Sequence, residues 1–114
     1  MKKLTKVSVL GTDYTIYVDV TPMDKSFIQE NDGVCDSTTK EIFISDLNDG
    51  DPMNMNDMEV YERKIIRHEV IHAILFESGL DINSDWGRNE EIIDWIAIQY
   101  PKLSKIFKEL EVES

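Results

Sequence analysis

Residues 67–73 read Arg67-His68-Glu69-Val70-Ile71-His72-Ala73, and the rest of the chain is best understood by what it does for this stretch. His68 and His72 are the only two histidines present. At roughly 100° per residue on a helix they fall within about 40° of each other, so both imidazoles can converge on one metal ion. Glu69 projects from the neighbouring edge of the same face, placed to reach a metal-bound water without ligating the metal, as a hydrolytic zinc site requires. The competing reading is two helical histidines that are simply surface or core residues. The residues that follow weigh against it. Val70 to Phe76 is apolar all round the helix except at His72, a pattern that belongs to a buried helix, and a buried imidazole beside a buried carboxyl needs partners.

Working outward, Asn56 or Asp57 suits an N-cap and Gly79 a C-terminal stop, which predicts a helix ending at about Ser78. Its first half is amphipathic. Met58, Tyr61 and Ile65 share the face of the histidines, whereas Glu59, Arg63 and Lys64 are more exposed.

Upstream, residues 6–20 alternate with a period of two on both sides of Gly11-Thr12-Asp13, predicting a β-hairpin with Val7, Val9, Tyr14, Ile16 and Val18 in one pattern. Thr21-Pro22 ends it, and Met23–Asn31 is ambiguous between a short helix after Asp24 and an irregular crossing. Gly33–Asp36 and Glu41–Ser45 flank the polar turn Ser37–Lys40, predicting a second hairpin. The strand Ile42–Ile44 is then a candidate sheet edge on which an extended substrate adds as another strand. Cys35 reads as a small apolar strand residue. Asp46–Asn56 reads as a loop, with Met53, Met55 and Met58 as adaptable packing at its end.

Downstream, Leu80–Arg88 is predicted to be a loop and Asn89–Tyr100 a helix interrupted by Pro101. Pro101 is expected to start a last helix with Leu103, Ile106, Phe107 and Leu110 as its buried stripe and Lys102, Lys105 and Lys108 in solvent. The expected class is α+β: a small antiparallel or mixed sheet from two N-terminal hairpins, packed on a central helix and one or two C-terminal helices.

A chain of 114 residues fits one domain, residues 1–114. Twenty-three acids against twelve bases give a formal charge of −11, and the bases are scattered, which argues against a nucleic-acid surface. A single cysteine rules out an internal disulfide and suits a reducing compartment. No apolar run suggests a signal peptide or a membrane span, so the expected location is cytoplasmic.

With no histidine left, a carboxylate has to complete a three-ligand zinc site. Glu90, Glu91 and Asp94 open the second helix. Glu90 and Asp94 lie about 40° apart on a face shared with Ile93 and Ala97, so Glu90 is the preferred ligand and Glu91 the alternative. Acids in a first helical turn also complement the helix dipole with no metal present. Asp94 can accept the free N–H of a ligating imidazole and fix its tautomer.

His68-Glu69-x-x-His72 followed by Asn89-Glu90-x-x-x-Asp94 resembles the gluzincin pattern of thermolysin-like peptidases. In size and order the chain is similar to the ImmA/IrrE family of small bacterial and prophage zinc peptidases. That resemblance implies a minimal zincin-like fold, one zinc ion, His68, His72 and Glu90 as ligands and Glu69 as general base. It also implies a protein or peptide substrate, such as a phage or prophage regulatory protein. The specific part runs from about Ile65 to Ala97. The chain departs from that family in having Phe76-Glu77 where a further His is common, and in showing no DNA-binding or sensor domain. No oxyanion stabiliser is identified, Arg88 and Tyr100 being the nearest suggestions. A second reading of the same residues is a zinc-stabilised phage accessory module that binds without turnover. A third is a domain with no metal.

Overall fold

The computed structural model describes residues 1–47 and 57–114, so Asn56, Met53 and Met55 lie outside the described residues. The class is mixed α+β. Strands β1 (Lys2–Val9) and β2 (Thr12–Val20) form the first hairpin around Leu10-Gly11, a turn set slightly earlier than the sequence suggested. Its alternation is kept: Val9, Tyr14, Ile16 and Val18 are all buried in the main core, and Val7 packs against it. Strands β3 (Gly33–Asp36) and β4 (Glu41–Ser45) form the second hairpin. Its turn is held by the Asp36 carboxylate, which accepts from the backbone N–H groups of Thr38 and Thr39. The ambiguous segment between the hairpins contains a 3-10 turn, Ser26–Glu30, anchored by buried Ile28.

The hairpins are joined by a parallel pairing of β2 with β4, with Ile16 opposite Ile42 and Tyr17 opposite Phe43, giving the sheet order β1-β2-β4-β3. This corrects the expected edge. Ile42–Ile44 is interior, because Ile42, Phe43 and Ile44 are all buried and β4 is apolar on both faces, as an inner strand must be. Ile42 and Ile44 face the helices, while Phe43 stacks on Tyr17 at 5.5 Å and packs with Val20 and Ile28 on the opposite side. The free edge beside the helices is β3.

Helix α1 (Met58–Glu77) is capped by the Asp57 side chain, which accepts from the Val60 N–H at 3.1 Å. It ends at Ser78 before Gly79, whose φ of 84° suits a residue without Cβ. Ile65, Ala73 and Leu75 are buried and Met58 and Tyr61 pack on the core, but Ile74 is exposed, so the second half is covered on fewer sides than its composition suggested. The presumed loop Leu80–Arg88 is largely helical: a short α2 (Leu80–Asn83) and a 3-10 turn at Trp86–Arg88.

The larger correction concerns Pro101. Helix α3 runs without a break from Glu90 to Glu109, with Pro101 inside it. Proline removes the N–H that would bond the carbonyl of residue 97. Arg67 supplies the replacement: its Nε donates to the Ala97 oxygen at 2.6 Å, from a helix 30 residues away in sequence. The helix therefore continues past Pro101 without leaving that buried acceptor orphaned. The expected buried stripe also fails. Leu103 is half-buried, but Ile106, Phe107 and Leu110 are exposed, because α3 meets α1 through Ile93 and Ala97 on its other side. Among the described residues no helix is long and apolar enough to cross a membrane.

This arrangement has a measurable signature. Arg67→Met is expected to destabilise the fold by about 1–3 kcal/mol, the cost of an orphaned buried carbonyl, and by clearly less in a Pro101→Ala background, where residue 101 regains an N–H. Urea unfolding of the four proteins in this cycle measures the coupling, and equal effects in both backgrounds would refute the link.

Candidate metal centre

His68 and His72 stand one turn apart on α1, their rings 5.0 Å between centroids. Asn89 caps α3 by accepting from the Ile92 N–H at 3.0 Å, which makes Glu90 the first helical residue and aims it at α1. One carboxylate then meets both imidazoles: Glu90 Oε2 lies 2.9 Å from His68 Nε2, and Oε1 lies 2.9 Å from His72 Nε2. Ligand atoms of His68, His72 and Glu90 all lie within 4.8 Å of one another. Glu91, the alternative, is exposed and belongs to no such group among the described residues.

One turn further along α3, Asp94 Oδ1 is 2.9 Å from His68 Nδ1. A neutral His68 that donates from Nδ1 to this carboxylate turns its Nε2 lone pair toward Glu90. Lone pair facing carboxylate oxygen at this range is repulsive, and a shared cation reverses the sign of the contact. Two imidazole nitrogens and one carboxylate oxygen are also the donor set of a catalytic zinc site with three protein ligands. The residues present fit such an ion.

Lys64, expected on the more exposed face of α1, is half-buried and donates to the same Asp94 oxygen at 3.1 Å. Burial acts to raise the Asp94 pKa, but the hydrogen bonds from Lys64 and His68 outweigh it and hold the carboxyl below its ordinary range. Asp94 therefore stays ionised as an acceptor for the imidazole. The only sequence signal for Lys64 is its place one turn before His68, at i−4 on the same helix.

Glu69 is 7% exposed and lies outside the ligand group, its Oε2 3.9 Å from His68 Nε2. Burial pushes its pKa up to about 7, with the Glu90 charge adding to the rise and His68 and the Cys35 backbone N–H opposing it. Burial also lowers the pKa of His72, favouring the neutral imidazole, while Glu90 works in the other direction. Cys35 is the partly buried strand residue expected; burial first, then the Glu69 charge, pushes its thiol up to about 12.

Edge strand β3 runs past this group. A Cβ on Gly33 would lie 2.8 Å from Ile65 Cγ2 and 2.9 Å from Glu69 Cγ, so only glycine lets the strand pass this close to the carboxyl. A cleft of about 470 Å³ opens here between β3 and the helices, lined by Asp32, Gly33, Tyr61, His68, Glu69, His72 and Glu90 among others. Beyond Glu69 and His72, a hollow of about 240 Å³ continues along β3 past Val34, Cys35 and Ser37. Tyr61, on the cleft wall, donates its hydroxyl to Asp32. Arg88 and Tyr100 are not brought here. Arg88 bonds the Asp81 carbonyl, and Tyr100 lines a separate groove with Pro101 and Ser104.

Glu77, in the position where resemblance suggested a histidine, has a structural task at the end of α1. It accepts from the Tyr14 hydroxyl at 2.6 Å and from Lys40 Nζ at 2.8 Å. The Lys40 and Tyr14 hydrogen bonds lower its pKa from the ordinary 4.5 to about 2. A carboxyl depressed on folding stabilises above its unfolded pKa, and that contribution is lost as pH falls toward the folded value. Wild type should therefore lose stability between about pH 4.5 and 2 more steeply than Glu77→Gln. Denaturant midpoints followed through that window measure the difference, and parallel curves would exclude this role.

No protein-family model, no curated protein and no solved structure matches the chain.

Proposed function

We propose that the protein is a zinc-dependent peptidase with a minimal zincin-like fold, acting on an extended segment of a protein or peptide laid along β3. The observation that carries this reading is the convergence of His68, His72 and Glu90 with a buried, unligating Glu69 beside them. A zinc ion held by those three side chains supplies Lewis-acid polarisation of the scissile carbonyl and a water of lowered pKa.

The protein's own groups do the rest. Glu69 takes a proton from the attacking water as the C–O bond forms and hands it to the leaving nitrogen as the C–N bond breaks. Its raised pKa suits both transfers near neutrality. Asp94, kept ionised by Lys64, holds His68 in the tautomer that turns Nε2 inward. The outward N–H and C=O groups of β3 other than the Cys35 N–H, which Glu69 takes, can pair with a substrate strand, which replaces the interior strand β4 in that part. A purely structural zinc site has no use for Glu69 and is usually closed by a fourth protein ligand, which weighs against the binding-module reading.

The test compares protein termini in cells expressing wild type or Glu69→Gln, with zinc content measured on untagged protein. New termini confined to wild type, with equal zinc in both, support the proposal. Zinc-free protein that zinc does not stabilise would refute it.

A further inference from the structure

Helix α3 carries a second apolar face that the domain covers only in part: Ile96, Gln99 and Leu103 are half-buried, and the two ends of the face are exposed. Ile92, Ile96, Gln99, Leu103, Ile106 and Leu110 follow one another at intervals of four, three, four, three and four residues. That is a heptad seam, polar only at Gln99, and Trp95 and Phe107 flank it. Ile92, Trp95, Ile106, Phe107 and Leu110 are 39%, 57%, 50%, 44% and 64% exposed. Ile93 and Ala97, which are fully buried against the domain, lie on a different side of the helix.

We propose that this seam is the interface of a homodimer in which α3 packs antiparallel against α3 of a second copy. A 3.5-residue period keeps a narrow stripe facing one partner helix along its whole length, which neither a globular core nor a flat surface requires. The seam is also its own complement. Laid antiparallel and centred on Pro101, Ile92 meets Leu110 of the second copy, Ile96 meets Ile106, and Gln99 meets Leu103, so all six positions are used.

The helix dipoles select the orientation: antiparallel pairing opposes them, whereas parallel pairing aligns them side by side. The exposed apolar side chains offer on the order of 600 Å² per copy, close to the ~800 Å² per partner of a standard stable interface. Glu90 and Asp94 project from the far side of α3, roughly 160° from the centre of the seam, so both metal clefts stay open in the dimer.

Sedimentation of the full chain at 1–100 µM with zinc present should give twice the 13.2 kDa of one copy. Leu103→Glu combined with Ile106→Glu should give single copies with unchanged helical content and zinc content, which separates loss of the interface from loss of the fold or the metal site. Under mild oxidation, Ile92→Cys mixed with tagged Leu110→Cys should form the mixed disulfide in preference to either self-linked product. A wild type that remains single at 100 µM, a dimer indifferent to the glutamates, or preferential self-linking would each overturn the proposal.

Discussion

Glu69→Gln should bind zinc as wild type does and lose peptide hydrolysis by about 10²–10⁴-fold, the range that one well-placed general base contributes. The substitution keeps the shape of the side chain, so the close approach of Gly33 and the packing on Ile65 are preserved. It also removes the only part of the group at the cleft that is buried, titrates near neutrality and stands outside the ligand set. Zinc content by elemental analysis and cleavage of a substrate identified from cellular termini are the two readouts. Loss of zinc together with activity would make Glu69 a ligand instead of a base, and retained activity would remove it from the mechanism.

The second large effect is an ordering of metal affinities. Asp94→Asn should weaken zinc binding about 10–100-fold, as expected for the hydrogen-bond partner of a ligating imidazole. Glu90→Ala should cost more, because it removes a donor atom. Glu91→Ala should cost little, since that side chain is exposed and belongs to no metal-ligating group among the described residues. Competition titration with a zinc chelator ranks the three, and a larger loss for Glu91→Ala than for Glu90→Ala would exchange their roles. The same titrations bear on stability. Helix α3 meets α1 through few buried side chains, so a metal shared by the two helices should raise the melting temperature and its chelation should lower it.

What could be read in advance was local. The histidine spacing, a cap at Asn56 or Asp57, the two hairpins and the grouping of Glu90 with Asp94 all depend on residues within one or two turns of each other. What escaped depended on contacts across the fold. Pro101 looked like a helix start because nothing near it in sequence indicates that Arg67 bonds the Ala97 carbonyl. Ile42–Ile44 looked like an edge because a parallel joint between hairpins leaves no mark in either hairpin, although its continuous apolar run was the available hint. Leu103 to Leu110 has the periodicity of a buried stripe, and periodicity does not say whether the same chain covers it. Lys64 was read as a solvent-facing charge on an amphipathic helix, whereas it reaches Asp94 across the gap to α3.

The parallel joint also has a consequence for the order in which the molecule assembles. Each hairpin closes around a short turn, so either can form from local contacts, on a scale of about 1–10 µs. Pairing Thr15 with Glu41 instead requires the chain to close over the entire segment between them. That closure is entropically costly until α1 covers Ile16 and Ile42, which belong to the same buried core as Ile65 and Ala73. The helix that carries both histidines is thus also the element that makes union of the two halves of the sheet favourable, and the late step in folding and the completion of the cleft become one event.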